Sequence, residues 1–165
     1  MKMTFRWYGS EMDPIPLKYI RQIPGITGVV TSLMDLPAGE VWPLERLRAL
    51  KKEVTDAGLE LEVIESVNVH EDIKLGLPSR ERYIDNYKKT IKNLKEIGIK
   101  VICYNFMPVF DWTRTDMAYV LPDGSDCLAF EAEKVNKIDA RKGIDLPGWG
   151  TNYSPEKLQE LLQSY

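Results

Sequence analysis

Along this chain, apolar runs rich in β-branched residues alternate with stretches whose apolar positions recur every three or four residues. Met1–Gly9 predicts a strand ended by a glycine. Leu17–Ile23 predicts a short helix stopped by Pro24-Gly25, and Ile26–Ser32 (ITGVVTS) a buried strand. Pro43 can open the next helix at its first position. Leu44, Leu47, Leu50 and Val54 then share a face, and Gly58 can cap the end. Leu59–Val69 (LELEVIESVNV) starts with strict alternation and predicts a third strand. Ser79 is placed to N-cap a long helix carrying Tyr83, Ile84, Tyr87, Ile91 and Leu94 inward, with Lys88, Lys89, Lys92 and Lys95 on its wet face and Gly98 at its end. Ile99–Phe106 (IKVICYNF) is a fourth strand, the most continuously apolar. Beyond Pro108 the pattern weakens to two turn signals, Val120–Gly124 and Leu146–Gly150, and a last helix opened by Ser154-Pro155 with Leu158, Leu161 and Leu162 inward.

The order β-α-β-α-β-α-β implies a parallel sheet with crossover helices, whose functional end is the carboxyl end of the strands. The 165 residues suit one domain spanning 1–165. Two architectures fit the pattern equally: half of a (β/α)8 barrel, which needs ~250 residues when complete, or a four-strand open sheet of the doubly wound type. Ile26–Ser32 and Ile99–Phe106 both read as buried on two faces.

Charge and composition narrow the chemistry. A formal net charge of −3 gives no basic field for nucleic acid. No apolar run approaches the ~20 residues of a membrane span, and MKMTFRWYGS lacks the apolar core of a signal peptide. The two cysteines, Cys103 and Cys127, point to a reducing, cytoplasmic setting rather than a disulfide framework. There is one histidine, and no HExxH, CxxC, GxSxG or Gly-rich phosphate loop.

Three clusters carry candidate chemistry. In Phe5-Arg6-Trp7-Tyr8-Gly9, an arginine beside aromatics suits a carboxylate next to a sugar face, although alternating in-and-out residues of a strand would look the same. In Glu65–Glu71, the residues Ser66, Asn68 and His70 share one side if the extended chain continues, which suits a polyol; His70 can also act as acid or base. In Tyr104–Asp116, the residues Asn105, Asp111, Trp112, Arg114 and Asp116 interleave charge with aromatics, as a pocket wall or lid does.

At these clusters the chain resembles a known family. FRWYG, ESVNVHEDIKLG, YIDNYKKTIKNL and VICYNFMPVFDWTRTD occur in this order in the mannonate dehydratases, over Met3 to about Asp116, and LPGW at Leu146–Trp149 resembles a later family segment. The resemblance implies a TIM barrel of the xylose-isomerase-like type, here its N-terminal half, about half of a (β/α)8 barrel. It implies dehydration of D-mannonate to 2-dehydro-3-deoxy-D-gluconate in hexuronate breakdown, by β-elimination assisted by a divalent metal, usually Mn²⁺. The family's His, Cys and Asp ligands come from the second half, so this chain alone is not expected to hold the metal or to turn over. The expectation is therefore substrate contact by Arg6, Trp7, Ser66, Asn68, His70, Asn105, Trp112 and Arg114, with no metal ligand among them. A half-barrel would leave an unpaired edge, so a homo-oligomer is expected. Two rivals stand beside this reading: a non-catalytic sugar-acid binder and a structural partner of a second chain.

Overall fold

The computed structural model describes residues 1–107 and 114–138, and Glu156, Gln159 and Gln163 as helical. The chain falls into two compact units, Met1–Pro108 and Val109–Tyr165. The turn expected at Leu146–Gly150 lies outside the described residues, as do Leu158, Leu161 and Leu162 of the last helix.

In the first unit, strands β1 (Met3–Arg6), β2 (Ile26–Thr31), β3 (Glu60–Asn68) and β4 (Val101–Asn105) form one sheet in the order β1-β2-β3-β4. Every pairing is parallel. Helices α1 (Leu17–Ile20), α2 (Leu44–Asp56), α3 (Glu71–Lys74) and α4 (Arg80–Glu96) lie between them in sequence. A doubly wound sheet reverses its strand order at a switch point and carries helices on both faces. Here the order runs straight through. Ile20 of α1, Leu47 and Val54 of α2 and Leu94 of α4 also join Val29 and Ile64 of the strands in a single core. Parallel strands in straight sequence order, with the helices' apolar residues gathered in one core, fit barrel winding.

The helices form for local reasons. Pro43 is the N-cap of α2, and Leu47, Leu50 and Val54 recur at helical spacing on its buried face. Gly58 and Gly98 follow α2 and α4 with positive φ, where a Cβ would be strained. Burying a Leu or Ile side chain of this core stabilises by roughly 1.5–3 kcal/mol.

Three expectations change. Ser79 precedes α4, but its hydroxyl donates to the Asp72 carboxylate rather than capping the helix. On α4, Ile91 is exposed and Thr90 is buried instead, its hydroxyl accepting from the Trp42 N–H at 3.1 Å. The fourth strand is not buried on both faces: as the last strand of the sheet it leaves Val101 and Tyr104 exposed.

Ion pairs also tie the sheet together outside the core. Lys2 Nζ reaches Glu62 Oε1 at 2.6 Å, and Arg6 reaches Glu65, so two ion pairs connect the β1 and β3 segments across β2. Gly28 of β2 permits the first crossing. A Cβ there would sit 2.7 Å from Glu62 Cγ and 2.5 Å from the Glu60 carbonyl oxygen.

The second unit holds an antiparallel hairpin, β5 (Asp116–Val120) and β6 (Asp126–Ala129), followed by α5 (Ala132–Val135). Its turn is the expected Val120–Gly124 signal: Leu121 N–H donates to Ser125 C=O at 2.7 Å, and Gly124 has φ +84°. The Asp123 carboxyl is held below its usual range by hydrogen bonds from the Ser125 hydroxyl and backbone N–H.

Candidate active site

Three of the residues expected to bind substrate end strands at the carboxyl edge of the sheet: Arg6 ends β1, Asn68 ends β3 and Asn105 ends β4. Register places Asn68 beside Asn105, and Val69 N–H donates to Asn105 C=O at 3.4 Å.

Arg6 is about a third exposed. Its guanidinium donates to the Glu65 carbonyl and stands 3.7 Å from the Glu65 carboxylate. It also lies over the Tyr8 ring, 4.9 Å from the centroid. The arginine is thus oriented on three sides with part of its fork open. Trp7 takes the opposite direction. It is 1% exposed and belongs to the core, so of the Arg6–Trp7 pair only Arg6 faces the open side.

Ser66 and Asn68 act together. The Ser66 hydroxyl donates to Asn68 Oδ1 at 2.7 Å, which turns the Asn68 amide nitrogen outward as a donor. Ser32, just past β2, donates to the Ser66 carbonyl at 2.8 Å and ties the two strand ends together.

His70 departs from the expected line. The strand stops at Asn68, and His70 becomes the N-cap of α3, its Nδ1 accepting from the Asp72 N–H at 3.1 Å. Its ring stacks on Tyr83 of α4, with centroids 3.5 Å apart. Arg114 is half-buried just ahead of β5 in the second unit, and Trp112 lies outside the described residues.

Several positioning residues escaped the sequence reading. Asn86, Thr90 and Asn93 form a polar stripe on α4 at spacings of four and three, the helix-face period. Asn86 donates to the Gly39 carbonyl at 3.0 Å, Thr90 accepts from Trp42 N–H, and Asn93 donates to the Trp42 carbonyl at 2.8 Å. Together they pin the segment between β2 and α2 onto α4. The spacing was legible, but a stripe of Asn and Thr reads first as a solvated face. Lys74 was also missed. Its side chain is 2% exposed; it binds Glu71 at 2.7 Å and donates to the Met107 carbonyl at 3.3 Å, linking the exits of β3 and β4. Burial raises the Tyr87 phenol above its ordinary value and neighbouring Tyr104 raises it further, while its hydroxyl donates to Val67 C=O at 3.3 Å.

A cleft of about 240 Å³ opens beside this edge, between the segments that follow β1 and β2, with Tyr8, Ser32, Asp35 and Arg46 in its wall. Arg46 Nη2 donates to both Asp35 carboxylate oxygens, at 3.0 and 2.9 Å, so its charge is already paired.

The family model described as D-mannonate dehydratase (UxuA) matches residues 1–165. The chain belongs to the D-mannonate dehydratase family. It is 57% identical over 171 residues to the mannonate dehydratase of Geobacillus thermodenitrificans (strain NG80-2), covering 98% of this chain and 45% of that protein. It is 54% identical over 175 residues to that of Thermotoga petrophila (strain ATCC BAA-488 / DSM 13995 / JCM 10881 / RKU-1), covering 100% of this chain and 48% of the relative. The crystal structure of mannonate dehydratase from Streptococcus suis serotype 2 matches with a TM-score of 0.85 at 49% identity, over 100% of this chain and 43% of that one. The chain therefore spans about half the length of the relatives it matches. Its α/β fold is of the TIM-barrel type and covers part of a barrel.

The family implies a divalent metal. Among the described residues, no group of three or more His, Cys, Asp or Glu side chains is placed to hold one. His70 has Nδ1 committed to α3; Cys103 sits half-buried in β4 and Cys127 is exposed on β6. These residues do not fit a metal centre, and no step is derived through one.

Proposed function

We propose that this chain supplies the sugar-acid-binding edge of a D-mannonate dehydratase, a carbon–oxygen lyase that converts D-mannonate to 2-dehydro-3-deoxy-D-gluconate. The observation that carries the reading is the set of donors at the carboxyl edge of the sheet. Arg6 presents a part-open guanidinium and Asn68 an outward amide, Asn105 lies beside Asn68, and His70 follows two residues later. A sugar acid has one carboxylate and several hydroxyl oxygens, so a cation flanked by neutral donors matches it. In this reading Arg6 takes the carboxylate, and Asn68, Asn105 and His70 take hydroxyls. Ser66 acts by fixing the Asn68 amide. No role in this edge is assigned to Trp112 and Arg114, which belong to the second unit.

In the β-elimination, the proton α to the carboxylate leaves before the C3 hydroxyl does. Arginine on the carboxylate favours this, because negative charge develops on those oxygens as the carbon is deprotonated. These residues would bind and orient; the acid, base and metal belong to the complete protein. Two unpaired cysteines and the absence, among the described residues, of a helix long and apolar enough to cross a membrane are compatible with the proposed cytoplasmic setting.

The test is a calorimetric titration of D-mannonate into the chain and its Arg6→Ala variant, with D-mannose as the uncharged control. Saturable binding of the acid that Arg6→Ala weakens more than tenfold, at unchanged melting temperature, is expected. Equal affinity for acid and neutral sugar, or loss of folding with Arg6→Ala at unchanged affinity, refutes the assignment.

A further inference from the structure

His70 is held more tightly than a helix cap requires. Capping a four-residue helix needs one acceptor, which Asn or Ser supplies. Here the ring is also fixed on its face, stacked on Tyr83 at 3.5 Å with an interplanar angle of 10°. It is fixed on its edge by Gly39, where a Cβ would lie 2.8 Å from His70 Cδ2 and 2.6 Å from Tyr83 Cδ1. Gly39 is itself pinned by Asn86. Asp72 is held in turn, one carboxylate oxygen accepting from Ser79 and the other 3.6 Å from His70 Nδ1. With all this restraint the side chain stays 24% exposed, and Nε2 takes part in none of the hydrogen bonds among the described residues.

The Nδ1 contact sets the tautomer. A nitrogen that accepts from a backbone N–H must carry its lone pair there, so in the neutral ring the proton sits on Nε2. We propose that His70 serves the site as a fixed hydrogen-bond donor through Nε2–H, holding a hydroxyl or carboxylate oxygen of the sugar acid, and that it is not the base of the reaction. Asp72 and Tyr83 are its positioning residues. The ligand half of this assignment rests on the function proposed above; the tautomer half rests on geometry alone.

His70 is the only histidine in the chain, so a long-range ¹H–¹⁵N spectrum contains a single imidazole. Recorded with the ring neutral, it should show Nε2 protonated and Nδ1 bare. A bare Nε2, or exchange-averaged tautomers, overturns the proposal whatever the ligand does. On titrating D-mannonate, the His70 Nε2 resonance should shift saturably together with the Asn68 amide and Arg6 Nε signals. Shifts at Asn68 and Arg6 with none at His70 overturn the donor role and leave the site reading standing. No saturable shift at any of the three refutes the site reading and the donor role with it. His70→Asn provides the second arm. Asn can still cap α3, so the melting temperature should hold, while losing one donor should weaken D-mannonate about three- to tenfold. Unchanged affinity in that folded variant overturns the proposal.

Discussion

Replacing Gly28 by alanine tests how closely β2 and β3 approach beneath the Lys2–Glu62 crossing. The new Cβ would lie 2.5 Å from the Glu60 carbonyl oxygen, 2.7 Å from Glu62 Cγ and 3.2 Å from the Glu60 carbonyl carbon. Two of those atoms are backbone inside a paired strand and cannot rotate aside. Crowding of this kind costs about 1–3 kcal/mol. Displacing Glu62 also loses its 2.6 Å contact with Lys2, whose ammonium end is solvent-exposed, a pair worth about 1 kcal/mol at most. The expected destabilisation is about 1–4 kcal/mol, or roughly 2–16 °C in melting temperature for a chain of this size. Urea unfolding followed by tryptophan fluorescence reads it, since Trp7 and Trp42 are both buried. The Glu62→Ala variant supplies a control. Combined with Gly28→Ala it relieves the 2.7 Å contact but not the 2.5 Å one, so most of the loss should remain. A Gly28→Ala chain within ~0.5 kcal/mol of the parent, inside the scatter of ordinary surface substitutions, would refute the close approach. Full rescue by Glu62→Ala would show that the side chain, not the strand, sets the limit.

Other consequences can be measured independently. Leu94→Ala, at a fully buried position of α4, should cost about 2–5 kcal/mol in urea unfolding; a loss under ~1 kcal/mol would show that the core beneath α4 is loose. Because the folded Tyr87 phenol is raised, its contribution is intact below the ordinary phenol range near ~10 and is lost as pH rises through the raised value. Stability should therefore fall in alkali, and Tyr87→Phe should flatten that fall; an unchanged slope would assign the alkaline loss elsewhere. The exposed edge beside Val101 and Tyr104, the latter 71% exposed, should bring copies together. Light scattering over a dilution series is expected to show a dimer or larger species, and a monomer at every concentration would contradict it.

The strands were legible because each combines β-branched residues with a clear stop, as Ile26–Thr31 does between Gly25 and the irregular segment that starts at Ser32. Helices α2 and α4 were legible through their periodicity. What escaped was set by partners distant in sequence. Thr90 reads as a surface residue, and is buried because the Trp42 N–H needs an acceptor. Ser79 reads as a cap, and is diverted by Asp72 seven residues earlier. The extended pattern carried Ser66 and Asn68 to the end of β3, across a register shift between Glu65 and Val67, but failed at His70, where the four-residue turn of α3 is too short to leave a periodic signal. Trp7 shows the limit of composition: an aromatic beside an arginine suggests a pocket, but strand alternation sends it to the opposite side, into the core.

The ion pairs that cross β2 also say something about how the chain is made. Lys2 and Arg6 are synthesised well before their partners Glu62 and Glu65, which follow 60 and 59 positions later. Until those residues leave the ribosome, the first strand can pair only with β2 and has nothing to grip across it. Its final anchoring is therefore a long-range closure, slow by the usual relation between sequence separation and folding rate. During synthesis the β1 segment therefore stays loosely held on that side until β3 arrives to lock it.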